Sequence, residues 1–409
     1  LLPDSDSLIS DGALFVRGRQ VVSVGRWKDL SARHPAPIVD LGNVVVLPGL
    51  INAHCHLDYT DMAGQFPPPR SFADWIRLIK ESKSGWDYSD YLMSWSNGAD
   101  MLLRSGTTTV GDVEAIPRLL PTVWEGTPLK VTSFLEMIAL APPRAARQVL
   151  TKCLNLARSL GAPRGRLGLS PHAPYSTIPE LLRLSAEAAR RRKWRVMIHV
   201  AESALEFEMF TRARGELHHW LARVGRDTSD CGLGSPVKHL VTSGLAGENV
   251  IAVHVNYLAP GDITLLAKHK MHVAHCPRSH SYFQHRPFPL RSLLRAGVNV
   301  CLGTDSLASV YRRRGQAVEL NMFDEMRALA TAHPWLRPGS VLKMATVNGA
   351  RALGLDDRSG RLCPGGHADL IAIPFSGSSR RALPRILEHT GAVGASMIDG
   401  KWCIPPQTA

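Results

Sequence analysis

The sequence predicts an α/β protein: a (β/α)8 TIM-type barrel with a small β-sandwich domain built from both chain ends. Three observations predict it. Between residues 49 and 355, eight short apolar or β-branched runs occur, most of them separated by helical patterns. Alternating strand and helix implies a parallel sheet, and eight such units imply a closed barrel. Both ends read instead as short strands with tight turns. The 409 residues are too many for one ordinary core and suit a large barrel plus a smaller piece.

In order, residues 1–48 form the first part of the small domain. Gly12 to Gly25 reads as a hairpin whose two β-rich runs flank Arg17-Gly18-Arg19. The apolar run Val44 to Leu47 leads toward a barrel strand ending in His54 and His56. Seven more strands follow: Thr107 to Val113, Leu129 to Leu135, Leu167 to Ser170, Val196 to Val200, Val250 to Val255, Met271 to His275 and Val298 to Leu302. A helical segment, Pro179 to Arg192, separates the fourth from the fifth. Residues 356–409 complete the small domain, and Asp399-Gly400 marks a hairpin turn between Val393 to Ile398 and Lys401 to Ile404.

Composition narrows the function classes. Hydrophobic residues at 44% and charged residues at 20% describe a soluble globular chain. No apolar run approaches the ~20 residues of a membrane span. The net charge of +13 comes largely from arginines scattered along helical stretches such as Arg190 to Arg195. Without a helix-turn-helix, zinc-finger or RNA-binding signature, solvated faces explain it better than nucleic acid. The seven cysteines are spread singly, with no C-x-x-C, which excludes a disulfide framework and fits the reduced cytoplasm. The chain starts at Leu1 rather than Met, which leaves open whether residues precede it.

The polar residues at the strand ends carry the chemistry. Barrel active sites lie at the carboxyl ends of the strands. Strand one ends in His54 and His56, whose i, i+2 spacing points both to one face. Strands four to seven end in His172, His199, His254 and His275, and strand eight in Asp305. A lone histidine there is usually a satisfied core residue. This many at one barrel mouth, with an aspartate, point to a metal site.

The motifs PGLINAHCHL, HVAES at 199–203, HVNYL at 254–258, HCPRSH at 275–280 and LGTDS at 302–306 resemble the amidohydrolase superfamily. The resemblance covers nearly the whole chain. Within it, the chain is similar to the deaminase and chlorohydrolase branch, which includes S-adenosylhomocysteine and aminofutalosine deaminases and triazine hydrolases. The resemblance implies one divalent metal ion, zinc by default with iron or manganese left open, bound by His54, His56, His199 and Asp305. It makes Glu202 and His254 catalytic.

The chemistry agrees. Three imidazoles and a carboxylate leave a position for water and lower its pKa toward neutrality. Asp305 is placed both to bind metal and to take the water's proton. Glu202, three residues beyond His199, can protonate a ring nitrogen and then help the leaving amine depart as ammonia. His254 can stabilise the attacking oxygen. Strand four has no lysine, and the only lysine of strand three, Lys130, lies at its start. A bridging modified lysine is therefore absent, which favours a single metal.

Substrate contacts rest on the same resemblance. His172 in SPHAPYS resembles a substrate-contacting histidine, and Trp75 an aromatic lid that stacks on a planar base, with plain helix packing as its alternative. Glu136 ends strand three and is suited either to a substrate hydroxyl or amine or to a salt bridge. Relatives often read H-C-P-x-S-N, whereas here the last position is His280, with His285 nearby. The expected partner is a small heterocycle, neither nucleic acid nor membrane, and a homo-oligomer is left open. The expected function is a hydrolytic deaminase of an adenosine-type nucleoside: S-adenosylhomocysteine, methylthioadenosine, adenosine or aminofutalosine. The alternatives are a triazine, pterin or guanine amino- or chlorohydrolase and, more remotely, a non-catalytic binding protein on the same barrel.

Overall fold

In the computed structural model, residues 1–66, 71–140, 143–160, 165–312 and 317–406 are described. Fourteen strands occur among them, in three sheets. β1 (Gly12–Arg17) and β2 (Gln20–Arg26) pair antiparallel around a two-residue turn, where Gly18 takes φ 58. β3 (Val44–Pro48) follows.

The barrel strands are β4 (Leu50–Cys55), β5 (Thr107–Glu114), β6 (Lys130–Met137), β7 (Arg166–Pro171), β8 (Val196–Val200), β9 (Val250–His254), β10 (His272–His275) and β11 (Asn299–Leu302). They pair in parallel in chain order, as the strand–helix alternation predicts. Beyond β11, a parallel bridge between Cys55 and Asp305 joins the two edges. Thr304 and Asp305 both donate their N–H groups to the carbonyl of His54, at 3.0 and 3.2 Å.

One correction concerns the approach to β4. The run from Val44 does not continue into the His54 strand. It forms β3, which pairs antiparallel with β12 (Leu370–Pro374) outside the barrel. Gly49 separates the two. Its N–H donates to Asp369 O at 3.0 Å, and a Cβ there would lie 2.2 Å from the Thr108 side chain. Only glycine lets the chain pass from one sheet to the other so close to β5.

β13 (Ala395–Ile398) and β14 (Lys401–Ile404) complete a four-stranded sheet in the order β14-β13-β12-β3, so residues from both chain ends share it. The turn between them is Asp399-Gly400, with φ 48 and 73, the positive pair a tight two-residue hairpin requires. Val21, Leu362, Leu370 and Met397 form a common core between the hairpin and this sheet. Lys130, at the start of β6, reaches Asp369 and Asp399 at 2.7 and 2.6 Å and ties the barrel to it.

The helix Pro179–Arg192 shows how the outer layer is held. Pro at its first position needs no donor, and Leu181, Leu182, Ser185, Ala186, Ala188 and Ala189 are buried along one face. Lys193 ends it in the left-handed conformation, φ 56. Leu182 is fully buried, so its replacement by Ala costs about 2–5 kcal/mol.

Candidate active site

Strand parity decides which side chains enter the barrel mouth. Met197 packs with Ile251, Val253 and Ala274 in one cluster, whereas Val196, Ile198 and Val200 pack with outer-layer residues such as Leu240 and Leu266. His199, two residues beyond Met197, therefore enters. His54 meets it from across the barrel, with Nδ1 3.1 Å from Met197 Sδ.

By the same parity His254 would point away from the mouth. It does not, because the backbone changes hand: His254 takes φ 74 and Val255 φ 55. A β-branched residue in that region costs on the order of 1–3 kcal/mol and persists only where the surroundings enforce it. The turn brings the His254 ring to 5.5 Å from His199 and 5.9 Å from His54, and Nε2 to 3.5 Å from Glu202 Oε1. Ala201 and Asp305 also have positive φ, 52 and 55, so four such residues lie at this end of the barrel.

His54, His56 and His199 each offer a ligand atom within 4.8 Å of the others, and so do His54, His254 and Asp305. His56 Nε2 lies 3.1 Å from His199 Nε2, and Asp305 Oδ1 lies 3.7 Å from His54 Nε2 and 3.9 Å from His56 Nε2. All five side chains are buried.

These residues fit a divalent cation. His54 Nε2 is buried with no hydrogen-bond partner. His199 Nδ1 meets the His172 carbonyl at 2.9 Å; as the donor of that bond it leaves a lone pair on Nε2. Burial pushes the pKa of His56 and His199 well below the ordinary value and that of His254 down to about 3, so they are neutral bases. Burial alone would raise the Asp305 pKa. The His54 side chain, 3.7 Å away, and the His254 and His56 rings beside it outweigh it and hold the carboxyl well below the usual range. Ser279 and Ser309 hydroxyls donate to Asp305 Oδ2 at 2.6 and 3.1 Å, leaving Oδ1 toward the imidazoles.

Glu202 is 4% exposed. Burial first, then Asp305 and Glu206, push its pKa well above that of a free carboxyl, which favours the protonated form. His172 lies beside the cluster, its ring 4.9 Å from His199, with Nδ1 2.6 Å from Ser176 Oγ and Nε2 3.9 Å from Glu136 Oε1. Burial lowers its pKa to about 4. Lys83 lies on the far side of His56: its ammonium is 4.0 Å above the Tyr59 ring, which stacks on His56 at 5.1 Å.

The remaining expected contacts stand further out. Trp75 Nε1 donates to Ala308 O at 3.1 Å, and its ring packs 5.0 Å from Phe283, which stacks on His285 at 5.4 Å. It belongs to an aromatic wall rather than to the histidine cluster. His280 Nδ1 is 3.0 Å from Asn256 Oδ1, one layer behind His254. His275, expected at the mouth, faces outward. It follows the parity of Val273, and its ring stacks on Phe288 at 3.7 Å with 4° between the planes. The sequence reading passed over four buried partners: Ser279 and Ser309 on Asp305, and Glu206 and Asn256 around Glu202. Only the Ser203-x-x-Glu206 spacing, a capping box, signals one of them.

Comparison with known proteins gives the family. The model of the amidohydrolase family matches residues 45–403. The chain belongs to the amidohydrolase family. As a family member it is a hydrolase acting on carbon–nitrogen bonds. It is 31% identical over 388 residues to a 5-methylthioadenosine/S-adenosylhomocysteine deaminase of Pelotomaculum thermopropionicum, covering 90% of this chain and 82% of the relative. It is 30% identical over 358 residues to an aminodeoxyfutalosine deaminase of Deinococcus radiodurans, covering 84% of this amidohydrolase and 82% of that one. Among solved structures, a zinc-bound adenosine deaminase from Xanthomonas campestris superposes with a TM-score of 0.82 at 25% identity, covering 97% and 89% of the two chains. No helix among the described residues is long and apolar enough to cross a membrane.

Proposed function

We propose that this amidohydrolase is a deaminase with one zinc ion that removes the 6-amino group of an adenosine-type nucleoside. His54, His56, His199 and Asp305 hold the metal. Glu202, His254 and Asp305 move or hold protons, and His172, Glu136, Trp75 and His280 contact substrate. The barrel of residues 49–355 carries the chemistry, braced by residues 1–48 and 356–409. The observation that carries the reading is Glu202: a buried carboxyl 3.5 Å from His254 Nε2, its pKa raised by that burial, beside a His/Asp cluster suited to a cation.

The metal, when bound, supplies a water acidic enough to attack at neutral pH. Glu202 donates its proton to the ring nitrogen next to the amine-bearing carbon, which makes that carbon electrophilic. Asp305 Oδ1 takes a proton from the attacking water, while Oδ2 is held by Ser279 and Ser309. His254 hydrogen-bonds the oxygen as charge changes on it. The proton collected by Asp305 passes to the amine, the carbon–nitrogen bond breaks and ammonia leaves, and the remaining hydroxyl proton returns to Glu202 as the ring carbonyl forms. The names of the similar deaminases support a purine nucleoside. His172 and Glu136, 3.9 Å apart, add polar groups suited to ring nitrogens and sugar hydroxyls.

The test is ammonia release from S-adenosylhomocysteine, 5′-methylthioadenosine, adenosine and aminofutalosine, followed by loss of the adenine absorbance. Turnover of at least one is expected. Activity confined to a pterin, a triazine, guanine or an acyclic amide would refute the nucleoside reading.

A further inference from the structure

We infer that Glu206 is a positioning residue for Glu202, fixing the turn that aims the Glu202 carboxyl at His254; this rests on the proposed proton-relay role of Glu202. β8 ends at Val200, and the next residue, Ala201, takes φ 52. A left-handed residue with a side chain needs its surroundings to hold it there.

The fully buried carboxyl group of Glu206 does so. It accepts the N–H groups of Ala201 and Glu202 at 3.0 and 2.8 Å. Glu206 is itself fixed in the first turn of the helix Ala204–Arg212, where its N–H donates to the cap Ser203 Oγ at 3.1 Å. The carbonyls of the same two residues are held from the other side. Ala201 O accepts from the N–H groups of Asn256 and Tyr257, both at 2.9 Å, and Glu202 O accepts from Asn256 Nδ2 at 3.0 Å.

Every main-chain polar group of Ala201 and Glu202 is thus committed to one of two partners: Glu206 or the Asn256–Tyr257 turn. That turn follows His254 and Val255, so the brackets that set Glu202 and His254 interlock. Glu206 takes part in no ion pair among the described residues. A buried carboxyl is costly unless its polar atoms find hydrogen-bond partners, and both oxygens of Glu206 find theirs on the main chain of Ala201 and Glu202. A helix cap alone requires only Ser203. The reach of Glu206 back past the cap, to the two residues that orient Glu202, is what capping leaves unexplained.

The test is a double-mutant cycle on the metal-loaded protein: Glu206→Gln, Glu202→Gln and both together, with kcat, KM, metal content and melting temperature read for each. Glutamine can accept one of the two N–H groups but presents its own NH2 to the other. Glu206→Gln is expected to keep its metal and KM and to lower kcat about 10- to 100-fold, the scale of a misplaced catalytic group. In the Glu202→Gln background the same substitution is expected to cost less than about 2-fold, because no proton donor is left to misplace. An equal loss in both backgrounds, or a lower melting temperature with kcat unchanged, would make Glu206 an ordinary helix cap and overturn the inference. Wild-type turnover in Glu202→Gln would overturn it at its premise, and by a separate measurement. If Glu206→Gln does not fold, Asn256→Ser removes the donor to Glu202 O from the opposite side. The same vanishing of its effect in the Glu202→Gln background is then expected, and an undiminished effect overturns the inference.

Discussion

His54 and Asp305 are joined twice: the Asp305 N–H donates to the His54 carbonyl at 3.2 Å, and Asp305 Oδ1 lies 3.7 Å from His54 Nε2. The main-chain contact is part of the seam between the first and last barrel strands, so closing the barrel also assembles half of the proposed cation site. The side-chain contact is tuned by Ser279 and Ser309, which both donate to Asp305 Oδ2.

Removing those hydroxyls frees the carboxylate to rotate. Hydrogen-bond partners of a ligand typically contribute 10- to 100-fold in metal affinity. The double variant Ser279→Ala/Ser309→Ala is therefore expected to lose metal to a competing chelator at a concentration about 10- to 100-fold lower than the wild type does. An unchanged competition curve would show that Asp305 is held by the barrel seam alone.

Gly303 serves the same seam. A Cβ at this position would lie 2.7 Å from the His54 carbonyl oxygen and 2.8 Å from the His54 Cβ. The backbone cannot move aside without shifting the ligand. Gly303→Ala is expected to destabilise the fold by about 1–3 kcal/mol, the scale of overpacking, and to weaken metal retention with it. Thermal unfolding and metal analysis after dialysis report both. A variant with a wild-type melting temperature and full metal would mean the seam tolerates the methyl.

The barrel was legible because its strands are buried and short. The runs at Val196 to Val200 and Val250 to Val255 are strands in almost any reading, and the helices between them carry the 3.6-residue pattern. The histidines were legible as a set because barrel chemistry gathers at strand ends. What the residues could not show is which face each takes. His275 and His254 look alike in HCPRSH and HVNYL, yet one stacks on Phe288 and the other turns inward through two positive φ angles. Nothing about Val255 as a residue type announces φ 55. The same gap hid Glu206 and Asn256, whose roles exist only through the backbone of Ala201 and Glu202. The break between β3 and β4 hung on a single glycine inside what reads as one continuous apolar approach.

The outward placement of His275 has a direct consequence. Its ring packs face to face with Phe288, and its Nδ1 is buried without a partner. His275→Leu keeps an apolar side chain against Phe288 and removes both nitrogens. One equivalent of metal is expected to remain, with affinity within experimental error of the wild type. A variant that cannot be loaded would put His275 among the metal-binding residues after all.

A second histidine, remote from the mouth, sets an acid limit on stability. His272 begins β10 and is 1% exposed. Burial first, then Arg195 and Arg351, lower its pKa to about 4. Asn299 Nδ2 lies 3.0 Å from Nδ1, an amide donor matched to a neutral ring. An unfolded histidine titrates near about 6.5. Between that value and about 4 the unfolded chain binds the proton and the folded chain does not, so stability falls as the pH drops through this window. The contribution of one such group is at most about 1.4 kcal/mol for each pH unit. His239, also lowered to about 4 by burial, adds to the slope of the wild type and of any variant alike. The informative quantity is therefore a difference. Urea unfolding at about pH 7.5 and about pH 5 should show a smaller loss of stability for His272→Gln than for the wild type, because glutamine has no proton to gain. Equal losses in the two proteins would mean that His272 already carries its proton in the folded barrel, against its burial beside two arginines.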